Sequence, residues 1–224
     1  MSGTLRLVIF DVDGTLVDSQ GDILAAMGEA FDAVDLPRPS RATILGIVGL
    51  SLEVAMARLA PGADHARMVQ AYKDAYMTLR AKTGAAQSSP LYPGARETLE
   101  RLQSAPDILL GVATGKSKRG LDKLIEAHAL ENVFVTRQVA DFHPSKPHPS
   151  MIYQAMSDAG VEAQDTVMIG DTSFDMEMAA AAGVSGFGVS WGYHPVSALS
   201  AAHLVLDEFS ALEGALQTLW RASA

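Results

Sequence analysis

The sequence contains no cysteine in its 224 residues. Disulfides, thiolate metal sites and a cysteine nucleophile are therefore excluded, and a reducing compartment suits the chain. Long hydrophobic runs are also missing near the N-terminus, where the apolar stretch Leu7–Phe10 is followed at once by acids. A secretory h-region is longer and a membrane span far longer, so the expectation is a soluble, cytoplasmic protein without a membrane partner. Basic residues are outnumbered: 17 Lys and Arg stand against 26 Asp and Glu, for a net charge of -9. A surface this acidic repels nucleic acid. It also repels small phosphate esters, so a site for one needs local positive charge, most simply a metal ion. No internal repeat or low-complexity tract interrupts the chain, and nothing in it signals an oligomeric state.

The composition, 48% hydrophobic and 19% charged, is that of an ordinary globular protein with a sizeable core. Short apolar runs at Leu5–Phe10, Ile108–Ala113, Val133–Val135, Thr166–Ile169, Gly186–Val189 and Leu204–Leu206 read as buried strands. Helical stripes lie between them: Leu121, Leu124, Ile125 and His128; Ile152, Ala155 and Met156, with Pro149 near the helix start; and Leu212, Leu216, Leu219 and Trp220. This alternation predicts an α/β fold, a doubly wound parallel sheet with helices on both faces. From about Val17 to Gln87 no strand is evident. Three helical stripes fill that span: Ile23, Leu24, Met27, Ala30 and Phe31; Leu52, Ala55, Met56 and Leu59, capped by Ser51; and Met68, Val69, Tyr72, Tyr76 and Leu79. They predict an inserted helical unit, tethered near Leu16–Ser19 and by the turn-rich Ala85–Gly94.

Chemistry concentrates at strand ends. Asp11-Val12-Asp13-Gly14-Thr15 follows the first strand, and Gly170-Asp171-Thr172-Ser173-Phe174-Asp175 follows another. Ligands of open α/β sheets bind at such carboxyl ends. Four acids gathered there repel one another unless a hard cation sits among them, and magnesium is the usual one beside phosphate. Asp171 or Ser173 could also cap the next helix. Thr114-Gly115-Lys116-Ser117 offers a hydroxyl and backbone N–H groups at a helix start, as a phosphate cradle or simply as a turn capped by Ser117. Lys146 lies in the rigid Pro144–Pro149 loop, where Lys146-Pro147 is a candidate cis bond.

In this order the four segments resemble the haloacid-dehalogenase superfamily, and within it the phosphoglycolate-phosphatase and β-phosphoglucomutase-like branch with a helical cap. The resemblance spans the whole chain. It implies a Rossmann-like core of residues 1–16 and 88–224 and a cap of residues 17–87. It also implies a magnesium-dependent phosphatase acting on a small phosphomonoester through an aspartyl phosphate. By motif, Asp11 is the nucleophile and Asp13 the general acid and base. Magnesium is held by Asp11, the backbone carbonyl of Asp13, and Asp171, with Asp175 in support. Thr114 and Gly115 bind the phosphoryl oxygens, Lys116 belongs to the same cradle, and Lys146 neutralises charge.

Alternatives are a phosphomutase, a metal-free dehalogenase, which lacks an acid at the position of Asp13, and a phosphonate hydrolase using Lys73 or Lys82. From another class, a receiver-like phospho-accepting signalling domain lacks both that acid and the insert. His143, His148 and His194 read as surface groups rather than zinc ligands, and Trp191 and Tyr193 as packing. The loop Gly46–Ser51 is expected to enter the site through Gly49 and to shape a small pocket suited to phosphoglycolate. Arg41 and Arg58 are the cations nearest that loop in sequence.

Overall fold

The computed structural model describes residues 4–222. In chain order the elements are β1 (Arg6–Phe10), α1 (Gln20–Asp32), α2 (Arg41–Leu45), α3 (Leu52–Leu59), α4 (His65–Thr83), α5 (Ala85–Ser88), α6 (Ala95–Ser104), β2 (Ile108–Thr114), α7 (Lys118–Ala127), β3 (Thr136–Val139), α8 (Ser150–Ala159), β4 (Thr166–Gly170), α9 (Ser173–Ala182), β5 (Ser185–Val189), β6 (Leu204–Leu206) and α10 (Leu212–Ala222). The six strands form one all-parallel sheet in the order β3-β2-β1-β4-β5-β6.

Burial on both faces explains why β1 reads as a continuous apolar run. Leu7 and Ile9 point to a core shared with Met151, Ile152, Met168 and Met178 from α8, β4 and α9. Val8 and Phe10 point the other way, to Leu99, Leu121, Leu124, Leu216 and Trp220 from α6, α7 and α10. The strand order reverses beside β1, which pairs with β2 on one side and β4 on the other. The crevice at this switch point opens at the carboxyl ends of three adjacent strands.

Two elements differ from the sequence expectation. The third strand is Thr136–Val139, not Val133–Val135. Its Thr136 and Gln138 are buried through hydrogen bonds that both share with Asp158, so polar partnership replaces the apolar run that would have marked it. The return segment is not all turn, since α5 occupies Ala85–Ser88.

Between β1 and β2, helices α1 to α5 gather an apolar cluster of their own, with Ile23, Met27, Phe31, Ile44, Met56 and Met68 at its centre. The two connections to the sheet run side by side. Asp18 N–H donates to Pro90 O at 2.9 Å and Tyr92 N–H to Leu16 O at 2.9 Å. No helix among the described residues is long and apolar enough to cross a membrane.

Candidate active site

Asp11 leaves β1 with its N–H donated to Ile169 O of β4 at 2.9 Å, which fixes its backbone beside the end of that strand. Its side chain is fully enclosed, and among the described residues Oδ2 has no hydrogen-bond partner. Lys146 Nζ, equally buried, lies 2.8 Å from Asp11 Oδ1 and 2.6 Å from Asp175 Oδ1. The peptide bond between Lys146 and Pro147 is cis.

Asp175 sits in the first turn of α9, where Thr172 rather than Asp171 or Ser173 is the N-cap. Thr172 donates to Asp175 Oδ2 from its N–H at 3.0 Å and its hydroxyl at 2.6 Å. This reciprocal cap orients the carboxylate as well as starting the helix. Asp171 accepts from the Thr15 hydroxyl at 2.9 Å and from Tyr193 N–H at 2.8 Å. Glycines wrap it closely: a Cβ on Gly14 would lie 2.2 Å from Asp171 Oδ2, and one on Gly192 2.1 Å from Asp171 Cβ.

One oxygen from each of Asp11, Asp171 and Asp175 falls within 4.8 Å of the others. Burial pushes the Asp11 carboxyl up to about 7, with Lys146 opposing the rise. Burial likewise holds Asp171 well above the usual carboxylate range, helped by Asp11 and Asp175. Burial alone would lower Lys146, but the two carboxylates outweigh it and hold the ammonium protonated. Three buried carboxyl groups share one lysine, which touches only Asp11 and Asp175, and the donor set is all oxygen. Such a trio fits a hard divalent cation. Gly192→Ala is expected to displace Asp171 and weaken divalent-ion affinity by about 10-fold or more, as second-sphere changes do. Isothermal titration of the metal-free protein checks this, and unchanged affinity would exclude Asp171 as a ligand.

Asp13, expected among the clustered acids, has its carboxylate elsewhere. Ser19 donates to Oδ1 at 2.5 Å, and Lys116 Nζ lies 2.9 Å from Oδ2. With these partners the Asp13 carboxylate stays outside the trio. Asp11, Asp13, Thr114, Gly115 and Lys116 all line one cavity of about 760 Å³ between the sheet and the insert. Gly49 reaches it too. A Cβ on Gly115 would lie 2.5 Å from Gly49 O, so the loop Gly46–Ser51 rests on the Thr114–Ser117 segment. Ser51 precedes α3 without a side-chain cap, its N–H donating instead to Ser145 Oγ at 2.9 Å beside Lys146. Ser117 does cap α7, accepting from Gly120 N–H.

The small pocket expected from the glycines is instead a roomy one. The most enclosed cations lining it are Lys116 and Arg80 of α4, with side chains 8% and 10% exposed. Arg41 hydrogen-bonds Gln20 at the surface, and Arg58 lies over the Phe174 ring. Several neighbours had no such role assigned from the sequence. Ser19, Thr15 and Tyr193 act through hydrogen bonds that only the fold assembles, and Tyr193 also accepts from Ser19 N–H at 2.8 Å. Trp191 donates to Thr15 O at 3.1 Å. His194, expected at the surface, is buried against Phe174 and accepts from Ser173 N–H. His143 bonds Ser150 and Gln138, and His148 accepts from Ser150 N–H.

The family model described as haloacid dehalogenase-like hydrolase matches residues 8–189. The chain belongs to that family. It is thus an enzyme, a haloacid dehalogenase-like hydrolase with the helical segment set between its first two strands. A relative from Dickeya dadantii (strain 3937), "Probable phosphatase IndB", is 36% identical over 97% of this chain and 96% of its own length. A "Phosphoglycolate phosphatase" of Pseudomonas putida is 34% identical over 94% of this chain and 79% of its own. A solved hydrolase from Pseudomonas syringae superposes with a TM-score of 0.83 at 26% identity, over 95% of this chain and 98% of that one.

Proposed function

We propose that this hydrolase is a magnesium-dependent phosphatase that cleaves a small phosphomonoester by way of an aspartyl phosphate on Asp11. The observation that carries the reading is the division of labour around Asp11. On one side lie the carboxylates of Asp171 and Asp175 and the ammonium of Lys146. On the other lies Asp13, away from that trio but facing the same cavity. Separate surroundings of this kind let two neighbouring carboxylates take different roles.

Asp11 attacks phosphorus in line, and Asp13 gives its proton to the leaving oxygen. Asp13 then takes a proton from the water that hydrolyses the acyl phosphate. Asp11, Asp171 and Asp175, with the carbonyl of Asp13, would hold the divalent ion. When bound, the ion supplies positive charge that screens the carboxylate nucleophile from the ester dianion. Lys146 adds a fixed charge to the same end, and Thr114, Gly115 and Lys116 orient the phosphoryl oxygens. Residues 17–87 act as a cap over the core, residues 1–16 and 88–224, and Gly49 brings backbone to the substrate. The paired tethers and the seating of the Gly46–Ser51 loop on Gly115 support that role. Cap closure keeps bulk water from the intermediate.

Phosphoglycolate is the first substrate to test, because the Pseudomonas putida relative bears that name. With magnesium present, its kcat/KM is expected to exceed that of p-nitrophenyl phosphate and of hexose phosphates by at least about 10-fold, a difference of about 1.4 kcal/mol in transition-state binding. A hexose phosphate that ran orders of magnitude faster would leave the phosphatase chemistry standing and discard this substrate.

A further inference from the structure

Arg80 is enclosed, its side chain about 10% exposed, yet it is poorly satisfied. Its Nε has no hydrogen-bond partner among the described residues, and its nearest carboxylate, Asp22 Oδ2, is 3.9 Å away and itself without a hydrogen bond. The one bond it makes with a side chain is from Nη2 to Ser89 Oγ at 3.2 Å. A guanidinium this buried normally meets its counter-charge in a fork of two hydrogen bonds. Here the fork is open, and the residue lines the cavity that holds Asp11 and Asp13.

Arg80 does not stand alone. Its Cζ lies 4.8 Å from the centroid of the Tyr76 ring, and Lys116 Nζ lies 5.3 Å from the same centroid. Two largely enclosed cations thus share one aromatic ring; burial and Arg80 disfavour the charge on Lys116, and Asp13 more than offsets them. Lys116 already touches Asp13, 2.9 Å from its Oδ2, and Arg80 stands on α4 of the insert, lining the same cavity. Lys116 has its counter-charge in Asp13, whereas enclosing Arg80 3.9 Å from its nearest carboxylate costs desolvation unless an anion joins it.

We propose that Arg80 binds a carboxylate on the leaving group. The substrate class is then a phosphorylated hydroxycarboxylic acid, in which the phosphoryl group meets Asp11 while the acid meets the cap. Arg80 sets specificity and takes no part in the chemical step. This assignment rests on the phosphatase reading above.

The test compares two esters of matched skeleton, 2-phosphoglycolate and ethyl phosphate, on the full chain with magnesium. Wild type is expected to favour phosphoglycolate in kcat/KM by about 100-fold, the worth of a buried charged pair. In Arg80→Gln that preference is expected to fall to a few-fold, chiefly through KM for phosphoglycolate. Arg80→Lys, which keeps the charge and loses the fork, is expected to fall between them, and it carries the same comparison if Arg80→Gln does not fold. Equal losses on both esters would show that Arg80 merely supports the cap, and would overturn the assignment. So would a wild type indifferent to the carboxylate, although active ethyl phosphate hydrolysis would leave the phosphatase reading intact. If wild type hydrolyses neither ester nor p-nitrophenyl phosphate, that reading fails and the assignment falls with it.

Discussion

Asp11→Asn is expected to lower kcat by on the order of 10⁴-fold or more on any good phosphomonoester, as removal of a nucleophile does. The amide has the shape of the carboxylate but cannot attack phosphorus. The same change should stabilise the metal-free protein. Asp11 is fully buried, and its carboxyl is raised from 3.8 to about 7 chiefly by that burial. Between those values the folded chain holds more protons at this group than the unfolded chain. Stability therefore falls as pH rises from about 4 toward 7. Asp11→Asn removes that loss, so at pH 7 without metal its melting temperature should lie above wild type, by about 2–4 °C for each kcal/mol regained. Lys146 keeps Asp175 as a partner at 2.6 Å, so the substitution does not strand the ammonium. Stopped-assay kinetics and calorimetry read the two effects separately. A variant with wild-type turnover would remove Asp11 from the mechanism.

Stripping divalent ions with a chelator is expected to reduce turnover by about 100-fold or more, the scale seen when charge stabilisation of a transition state is lost. Magnesium should restore it, and calcium should do so poorly, because it prefers longer bonds and looser, higher coordination. The crowding of Asp11, Asp171 and Asp175 within 4.8 Å motivates this. Added magnesium should also raise the melting temperature of wild type, since an ion bound only by the folded state stabilises it. Asp171→Asn should need much more magnesium for both effects. Full activity in excess chelator would point to the metal-free dehalogenase-type reaction instead.

The elements that carry the site were legible where burial and chemistry agree. The apolar run before Asp11 must be an inner strand, and its polar end must open at the sheet's carboxyl edge. The same logic located Thr114 and Asp171 from the runs before them. Where partnership replaces apolarity the signal vanishes. The strand Thr136–Val139 is buried through Gln138, Thr136 and Asp158, which no hydrophobic pattern reveals. Tyr193 contributes a backbone N–H to Asp171, and a backbone donor has no residue signature. Arg80 could have been suspected: Tyr72, Tyr76 and Arg80 recur every four residues along α4 and so share a face. What their spacing could not say is that this face turns toward Lys116 and Asp13, since that depends on how the insert seats on the sheet. The position of Asp13 was similarly hidden, because Ser19 on the first tether decides where its carboxylate points.

The central claim is that Asp11 itself becomes phosphorylated. Rapid acid quench of wild type turning over phosphoglycolate with magnesium, followed by borohydride reduction and peptide mass spectrometry, tests it most directly. An acyl phosphate on Asp11 would be reduced to homoserine at that position, and the product should be absent from Asp11→Asn and from wild type without substrate. Turnover with no modification at Asp11, or with the modified residue at any other carboxylate, would contradict the account.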